Sequence, residues 1–179
     1  RRGDGSSRLD FLRPFASFPR MGSKWQKFSG VLGLVGWLAL CFAAALCGMM
    51  FPPGTWYAQL HKPTWNPPNW IFAPAWTTLY ALMAVAAWRV GRRKGLLGGW
   101  RPLAWFLLQL VLNALWSFLF FGLHLPGWAF VEVVLLWLAI LAAARAFHRV
   151  DTLAGWLLAP YLAWVAFAAV LNGAIWLLN

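Results

Sequence analysis

Residues Phe51–Trp76 read FPPGTWYAQLHKPTWNPPNWIFAPAW. This stretch holds six of the eleven prolines (Pro52, Pro53, Pro63, Pro67, Pro68 and Pro74), together with Trp56, Tyr57, Trp65, Trp70 and Trp76. Proline fixes φ and removes a backbone donor, so the segment loses conformational freedom before any partner arrives. The residues ahead of Pro63, Pro67, Pro68 and Pro74 are pushed toward extended conformations. An apolar run flanks the stretch on each side. A stiff aromatic loop in that position reads as a lid at the mouth of a cavity, with Pro63, Trp65, Asn66, Pro67 and Pro68 at its centre. The alternative is an interfacial belt, because Trp and Tyr collect at membrane surfaces without binding anything. Belt aromatics come singly, whereas this loop also carries prolines and Asn66.

The rest of the chain is long apolar runs joined by short turns. Of 179 residues, 62% are hydrophobic and 11% charged, and mean hydropathy is +0.64. A soluble domain carries about a quarter charged residues. So few charges cannot cover the apolar surface of a small globule, which makes this an all-α integral membrane protein. The formal net charge of +11 would suggest nucleic acid in a soluble protein. Here the basic residues lie between apolar runs, so they act as topology signals and no nucleic-acid partner is expected. Cys41 and Cys47 point in different directions on one helix and cannot pair with each other. His61, His124 and His148 are isolated, so no metal site is expected.

Residues 1–24 read as a disordered basic arm or as upstream sequence not native to the protein. Arg1–Arg20 carries five arginines and no apolar run, and Met21 stands just ahead of the first apolar stretch. An organelle presequence is a third reading, against which Asp4 and Asp10 count. Residues 25–179 form a five-span membrane domain, with spans at about 29–50, 70–90, 102–122, 127–147 and 152–178, each long enough at 1.5 Å per residue to cross the hydrocarbon. Gly30, Gly33 and Gly36 form a track that lets a neighbouring helix approach. Thr55 is placed to cap a short helix over Trp56–His61.

Three faces carry unusual chemistry. Trp76 and Tyr80 are four apart on the second span and share a face. Gln109, Asn113 and Ser117 repeat every fourth residue on the third, with Trp116 beside Asn113. Such a polar stripe must face protein or a cavity in a bilayer, and interhelical hydrogen bonding explains it as well as a ligand does. Trp164, Ala168 and Asn172 line one face of the fifth span, which Pro160 is expected to kink. Glu132 lies about 8 Å into the fourth span, near the favourable end of the helix dipole, and reads as an interfacial or hydrogen-bonded carboxylate. Asp151 or Thr152 caps the fifth span. The chain ahead of the first span, the turn at 89–101 and the turn at 145–149 hold every Lys and Arg except Lys62. The positive-inside rule places those three segments on the cytoplasmic side, with the lid and C-terminus opposite.

The loop matches the pattern WYxxLxKPxWxPPxWxFxPxW from Trp56 to Trp76 throughout. Asn113-Ala114-Leu115-Trp116 and Pro160-Tyr161-Leu162-Ala163-Trp164 add to it. In these motifs the chain resembles the TspO/translocator protein family, also known as tryptophan-rich sensory proteins and the peripheral benzodiazepine receptor, from about Gly30 onward. The resemblance implies a five-helix bundle, usually a homodimer, whose pocket opens toward the first loop and binds porphyrins, haem-type tetrapyrroles and other flat hydrophobic ligands. It requires no further cofactor. The pocket it implies uses Trp56, Tyr57, Trp76, Tyr80, Asn113, Trp116, Trp164, Ala168 and Asn172. No Lys or Arg follows Tyr161, so the sterol-recognition pattern of the animal members is not matched.

The leading reading is tetrapyrrole sensing, transport or homeostasis. A second is light-dependent porphyrin degradation through Trp76 and Trp164, since no acid/base pair or nucleophile is visible. A third is a structural scaffold without ligand. A bacterial envelope membrane and an organelle outer membrane fit equally.

Overall fold

The computed structural model describes residues 23–179, with side chains from Gly30 onward except that of Leu97. Nearly all of the expected arm, residues 1–22, lies outside the described residues. The described residues before Gly33 group as one unit and Gly33–Asn179 as another. The described backbone of the first, from Ser23, is helical.

The described chain contains α1 (Ser23–Met49), α2 (Thr55–Gln59), α3 (Phe72–Gly98), α4 (Trp100–Ser117), α5 (Pro126–Val150), α6 (Thr152–Leu157) and α7 (Ala159–Leu178). A 3₁₀ turn, Asn69–Ile71, leads into α3, and a π-helical turn, Phe118–Gly122, ends α4. Five segments are long and apolar enough to cross a membrane: Gly30–Met49, Asn69–Leu96, Trp100–Gly122, Pro126–Val150 and Thr152–Leu178. The chain is thus an all-α, multi-pass membrane protein. Its helices are apolar nearly all round because lipid, not water, surrounds them.

Within Gly33–Asn179, α5 is the hub and packs most extensively on α4 and α7. The core is built from Met83, Ala84, Ala87 and Val90 of α3, Phe106 and Leu110 of α4, and Val133, Leu136, Ile140 and Phe147 of α5. Small residues let backbones approach, which drives helix association where no hydrophobic effect operates between helices. On α1, a Cβ at Gly33 would sit 3.5 Å from the Trp88 ring. Gly36 faces open space, so the expected glycine track is used at Gly33 and not at Gly36.

Two local features depart from the sequence reading, and a third follows it. Helix α3 runs past Val90 to Gly98, and the break comes at Gly95, whose φ of 68° suits only glycine without strain. Thr55 does not cap α2: the extended Gly54 occupies the N-cap position, and no side chain bonds there. The fifth span breaks at Leu158, two residues ahead of Pro160, which sits in the first turn of α7. Proline has no N–H for the carbonyl one turn back, and its ring is tolerated only in a first turn.

Asp151 caps α6 by accepting from the backbone N–H groups of Leu153 and Ala154, at 3.0 and 3.2 Å. It also pairs with Arg89 at 2.9 Å and Arg93 at 2.8 Å, both on α3. At Gly155 a Cβ would lie 2.8 Å from the His148 Cα, so only glycine lets α6 fold back against the end of α5. The end of α3 that carries Arg89 and Arg93 therefore lies beside the α5–α6 turn. At the other end, the loop after α2 is tied to α7: the His61 N–H donates to Asn179 Oδ1 at 2.9 Å, and Asn179 Nδ2 donates to the His61 carbonyl at 3.0 Å.

Burial alone would raise the Asp151 carboxyl, but the Ala154 amide and the Arg89 and Arg93 charges outweigh it and hold it below its ordinary range. A depressed folded-state pKa stabilises the fold above the unfolded value and loses that contribution as pH falls through the folded one. Asp151→Ala is expected to cost about 2 kcal/mol at neutral pH, the upper range for a lost N-cap. Thermal unfolding in detergent checks this, and the gap from the parent should shrink below about pH 4, near the unfolded carboxylate pKa. Asn179→Ala removes both bonds to His61. Hydrogen exchange at the His61 amide should then quicken while the α5 amides stay protected.

Candidate functional site

The expected pocket residues come together, but as two packed groups and not as one open chamber. The first lies between α3, α4 and α7. The Tyr80 hydroxyl donates to Asn113 Oδ1, and Asn113 Nδ2 donates to the Tyr161 hydroxyl at 3.0 Å. All three side chains are buried. Trp76 lies against this network, with ring centroids 5.5 Å from Tyr80, 6.1 Å from Tyr161 and 6.5 Å from Trp164. The four-residue spacing of Trp76 and Tyr80 puts both rings on the inner face of α3, as their helical period requires. Tyr161 was not among the expected pocket residues. Its signal was present, three residues before Trp164 on the same helix.

The second group lies under the loop. Trp116 Nε1 donates to Asn172 Oδ1 at 3.0 Å, and Asn172 Nδ2 donates to the Pro126 carbonyl at 2.8 Å. The buried Asn172 thus joins α4, α7 and the start of α5. Phe120 stacks on Trp116 at 5.2 Å and meets Trp56 and Tyr57 edge-on at 5.8 and 6.2 Å. Trp56 also stacks on His124 at 4.2 Å. Phe120 and His124 were not singled out from the sequence. Phe120 follows Trp116 by four residues, a readable spacing, whereas His124 depends on a positive-φ turn (φ 57°) that no periodicity signals. Ala168 is half-buried on α7, one turn from both Trp164 and Asn172.

Two hollows adjoin these groups. One of about 320 Å³ lies within the loop, lined by Tyr57, Lys62, Asn66 and Asn69 among others. Asn66 is held by its own turn: its N–H donates to the Pro63 carbonyl at 2.9 Å and its Nδ2 to the Pro67 carbonyl at 3.1 Å. Trp65 is half exposed and meets Phe167 of α7 edge-on at 6.0 Å. Burial raises the Tyr57 phenol above its ordinary range, and the Lys62 ammonium lies 4.6 Å over that ring. The other hollow, about 610 Å³, lies between α3 and α7 and is lined in part by Trp164.

The polar stripe on α4 turns inward. Gln109 and Asn113 are buried and Ser117 is half-buried. Glu132 differs from the expected interfacial or hydrogen-bonded carboxylate: its side chain is buried. Among the described residues no donor meets either of its oxygens, and both polar atoms of Gln109 are likewise without a partner. Helix α5 turns the Glu132 face toward the bundle because its neighbours Ala129, Val133 and Leu136 are the residues that pack there. Among the described residues no group of three or more His, Cys, Asp or Glu could hold a metal. The site therefore offers aromatic faces and a few fixed hydrogen-bonding groups, a combination suited to holding a flat apolar molecule.

The TspO/MBR family profile matches residues 34–177. Protein CrtK of Rhodobacter capsulatus is 42% identical over 144 residues, covering 78% of this chain and 88% of that protein. The tryptophan-rich sensory protein of Cereibacter sphaeroides is 44% identical over 135 residues, covering 75% and 84% respectively. The translocator protein of Homo sapiens is 42% identical over 126 residues, covering 68% and 73%. With its five membrane-spanning helices and this match across most of its length, the chain belongs to the TspO/MBR family.

Proposed function

We propose that the bundle binds porphyrins and related flat hydrophobic ligands against the Trp76–Trp164 pair, serving tetrapyrrole sensing, transport or homeostasis. The observation that carries this reading is that pair: two indoles from α3 and α7, 6.5 Å apart and nearly perpendicular, beside the buried Tyr80–Asn113–Tyr161 network. Perpendicular walls give a planar ring one face to stack on and one edge to abut. Each such contact is worth about 0.5–1.5 kcal/mol beyond burial. The hydroxyls and amide supply polar partners that are already oriented, so little ordering cost remains when a ligand arrives. Trp56, Tyr57, Trp116, Ala168 and Asn172 form the loop-side end of the same site. Entry from that end requires the loop to lift from Phe120 and His124. A homodimer in the bilayer belongs to the same reading.

Protoporphyrin titration of purified protein, read by quenching of tryptophan fluorescence, tests the proposal. Saturable quenching at one ligand per chain is expected, and non-saturable quenching alone would leave the scaffold reading. Trp76→Phe and Trp164→Phe keep a ring but shrink the wall, so each should weaken binding roughly two- to tenfold. Trp100→Phe and Trp128→Phe, at exposed positions near the ends of their spans, should leave affinity unchanged. The same samples under light separate binding from degradation. If the porphyrin spectrum decays with parent protein but persists with both pocket variants, the enzyme reading takes over.

Replacing Pro67 and Pro68 together by Ala frees the unfolded and open states of the loop. Affinity should fall by about 1 kcal/mol, the scale of such backbone changes, with the fold intact. Unchanged affinity would reduce the loop to an interfacial belt.

A further inference from the structure

The hollow between α3 and α7 lies among residues of two membrane spans, Asn69–Leu96 and Thr152–Leu178, so it opens toward hydrocarbon. Helix α3 packs closely on α6, while its backbone contact with α7 is slight. The fifth span is interrupted at Leu158, where α6 ends and α7 begins with Pro160 in its first turn. Small or flat side chains then face the gap: Pro74 and Ala75 from α3, Pro160 and Ala163 from α7. Its volume, about 610 Å³, falls in the range of small-molecule sites, roughly 300–1,000 Å³.

Trp164 is common to this hollow and to the internal aromatic group. It lines the outer cleft, and it also meets Trp76, which touches the buried Tyr80 and Tyr161. Its ring contacts are edge-on to Phe72 and Trp76 and tilted to Phe167. None of the three is stacked face to face, in contrast to Trp116 on Phe120 and Trp56 on His124. The indole face of Trp164 therefore keeps its capacity to stack on a planar ring.

We infer that the α3–α7 cleft is a lateral portal through which a flat apolar ring compound dissolved in the bilayer reaches the internal aromatic site, with Trp164 as its gate. This rests on the ligand class proposed above. A tetrapyrrole of low water solubility partitions into lipid, and a cleft open to lipid meets it at its highest concentration. The loop need not lift for this route. Trp164 has to turn from its edge-on contacts with Trp76 and Phe72 and its tilted contact with Phe167, none of which is a face-to-face stack.

The test uses full-length protein in phospholipid vesicles preloaded with protoporphyrin, with association followed by stopped-flow tryptophan quenching. Ala163→Phe and Thr78→Phe fill the cleft from opposite walls. Thr78 is solvent- or lipid-exposed, so the larger ring there does not disturb the core. Val170→Phe, on an exposed position of α7 outside the cleft, is the control. Both cleft variants should associate about tenfold or more slowly, within the span over which association rates vary among variants of one site. Their equilibrium affinity should stay within about threefold of the parent, and the control should match the parent in both. Association at the parent rate in both cleft variants overturns the portal. So does loss of affinity through faster dissociation, which would make the cleft the resting site and not the passage. Failure of the parent itself to bind protoporphyrin removes the ligand-class reading first and the portal with it, a result distinguishable from slow entry alone.

Discussion

The missing N–H of Pro160 shapes the bundle more than any single contact. Without that donor the fifth span cannot run as one helix, and it divides into α6 and α7 at Leu158. The short α6 is then free to lie against α3, where Asp151 caps it and receives Arg89 and Arg93. Helix α7 carries Trp164 against Trp76 and Asn172 against Trp116. A continuous helix would have to choose between the ion pairs at one end and the aromatic contacts at the other. In hydrocarbon each broken backbone bond is costly, so a break persists where neighbouring groups satisfy what it frees. Here the Leu162 N–H resumes the ladder at the Leu158 carbonyl, 3.0 Å away.

The same economy governs the polar side chains. A buried amide or hydroxyl in a membrane bundle is costly unless paired. Asn113 uses both ends of its amide, to Tyr80 and Tyr161, and Asn172 uses both of its own, to Trp116 and Pro126. These two amides tie α3, α4, α5 and α7 together at fixed registers, so the aromatic walls are set by hydrogen bonds and not by packing alone. Gln109 and Glu132 contrast with them, buried with polar atoms that meet no partner among the described residues. They mark the part of the interior where small polar guests, water above all, would be most stabilised.

Much of this was legible in the residues. Span number follows from run length against hydrocarbon thickness, a constraint strong enough that local propensity hardly matters. Faces follow from the helical period, which sets Trp76 and Tyr80, four residues apart, on one side of α3 with their rings 5.5 Å apart. What the period cannot supply is which faces meet. Tyr161 became Asn113's partner only through the crossing of α4 and α7, and the stacking of His124 on Trp56 required a left-handed turn. The inward turn of Glu132 was missed for a related reason. Depth along the helix was read from the sequence, but azimuth depends on which neighbours pack, and α5 is contacted on several sides. Helix α3 continues past Val90 because nothing before Gly95 breaks it.

Lys62 joins the loop to the topology. It is the one basic residue outside the three basic segments, on the side that the positive-inside rule leaves poor in charge. Its ammonium donates to the carbonyls of Ala58 and Leu60, at 3.4 and 3.2 Å, and lies over the Tyr57 ring. The charge is thus applied to the C-terminal end of α2, where carbonyls lack helical partners and a cation is favourable. Four backbone donors of the loop find similar ends. Ala58 N–H reaches Gly54, Asn66 N–H reaches Pro63, Ile71 N–H reaches Pro68, and His61 N–H reaches Asn179. Prolines lower the number of donors a loop must satisfy, and these contacts satisfy several that remain. A loop so tied has little reason to open spontaneously, because lifting it would leave these donors and carbonyls without their partners.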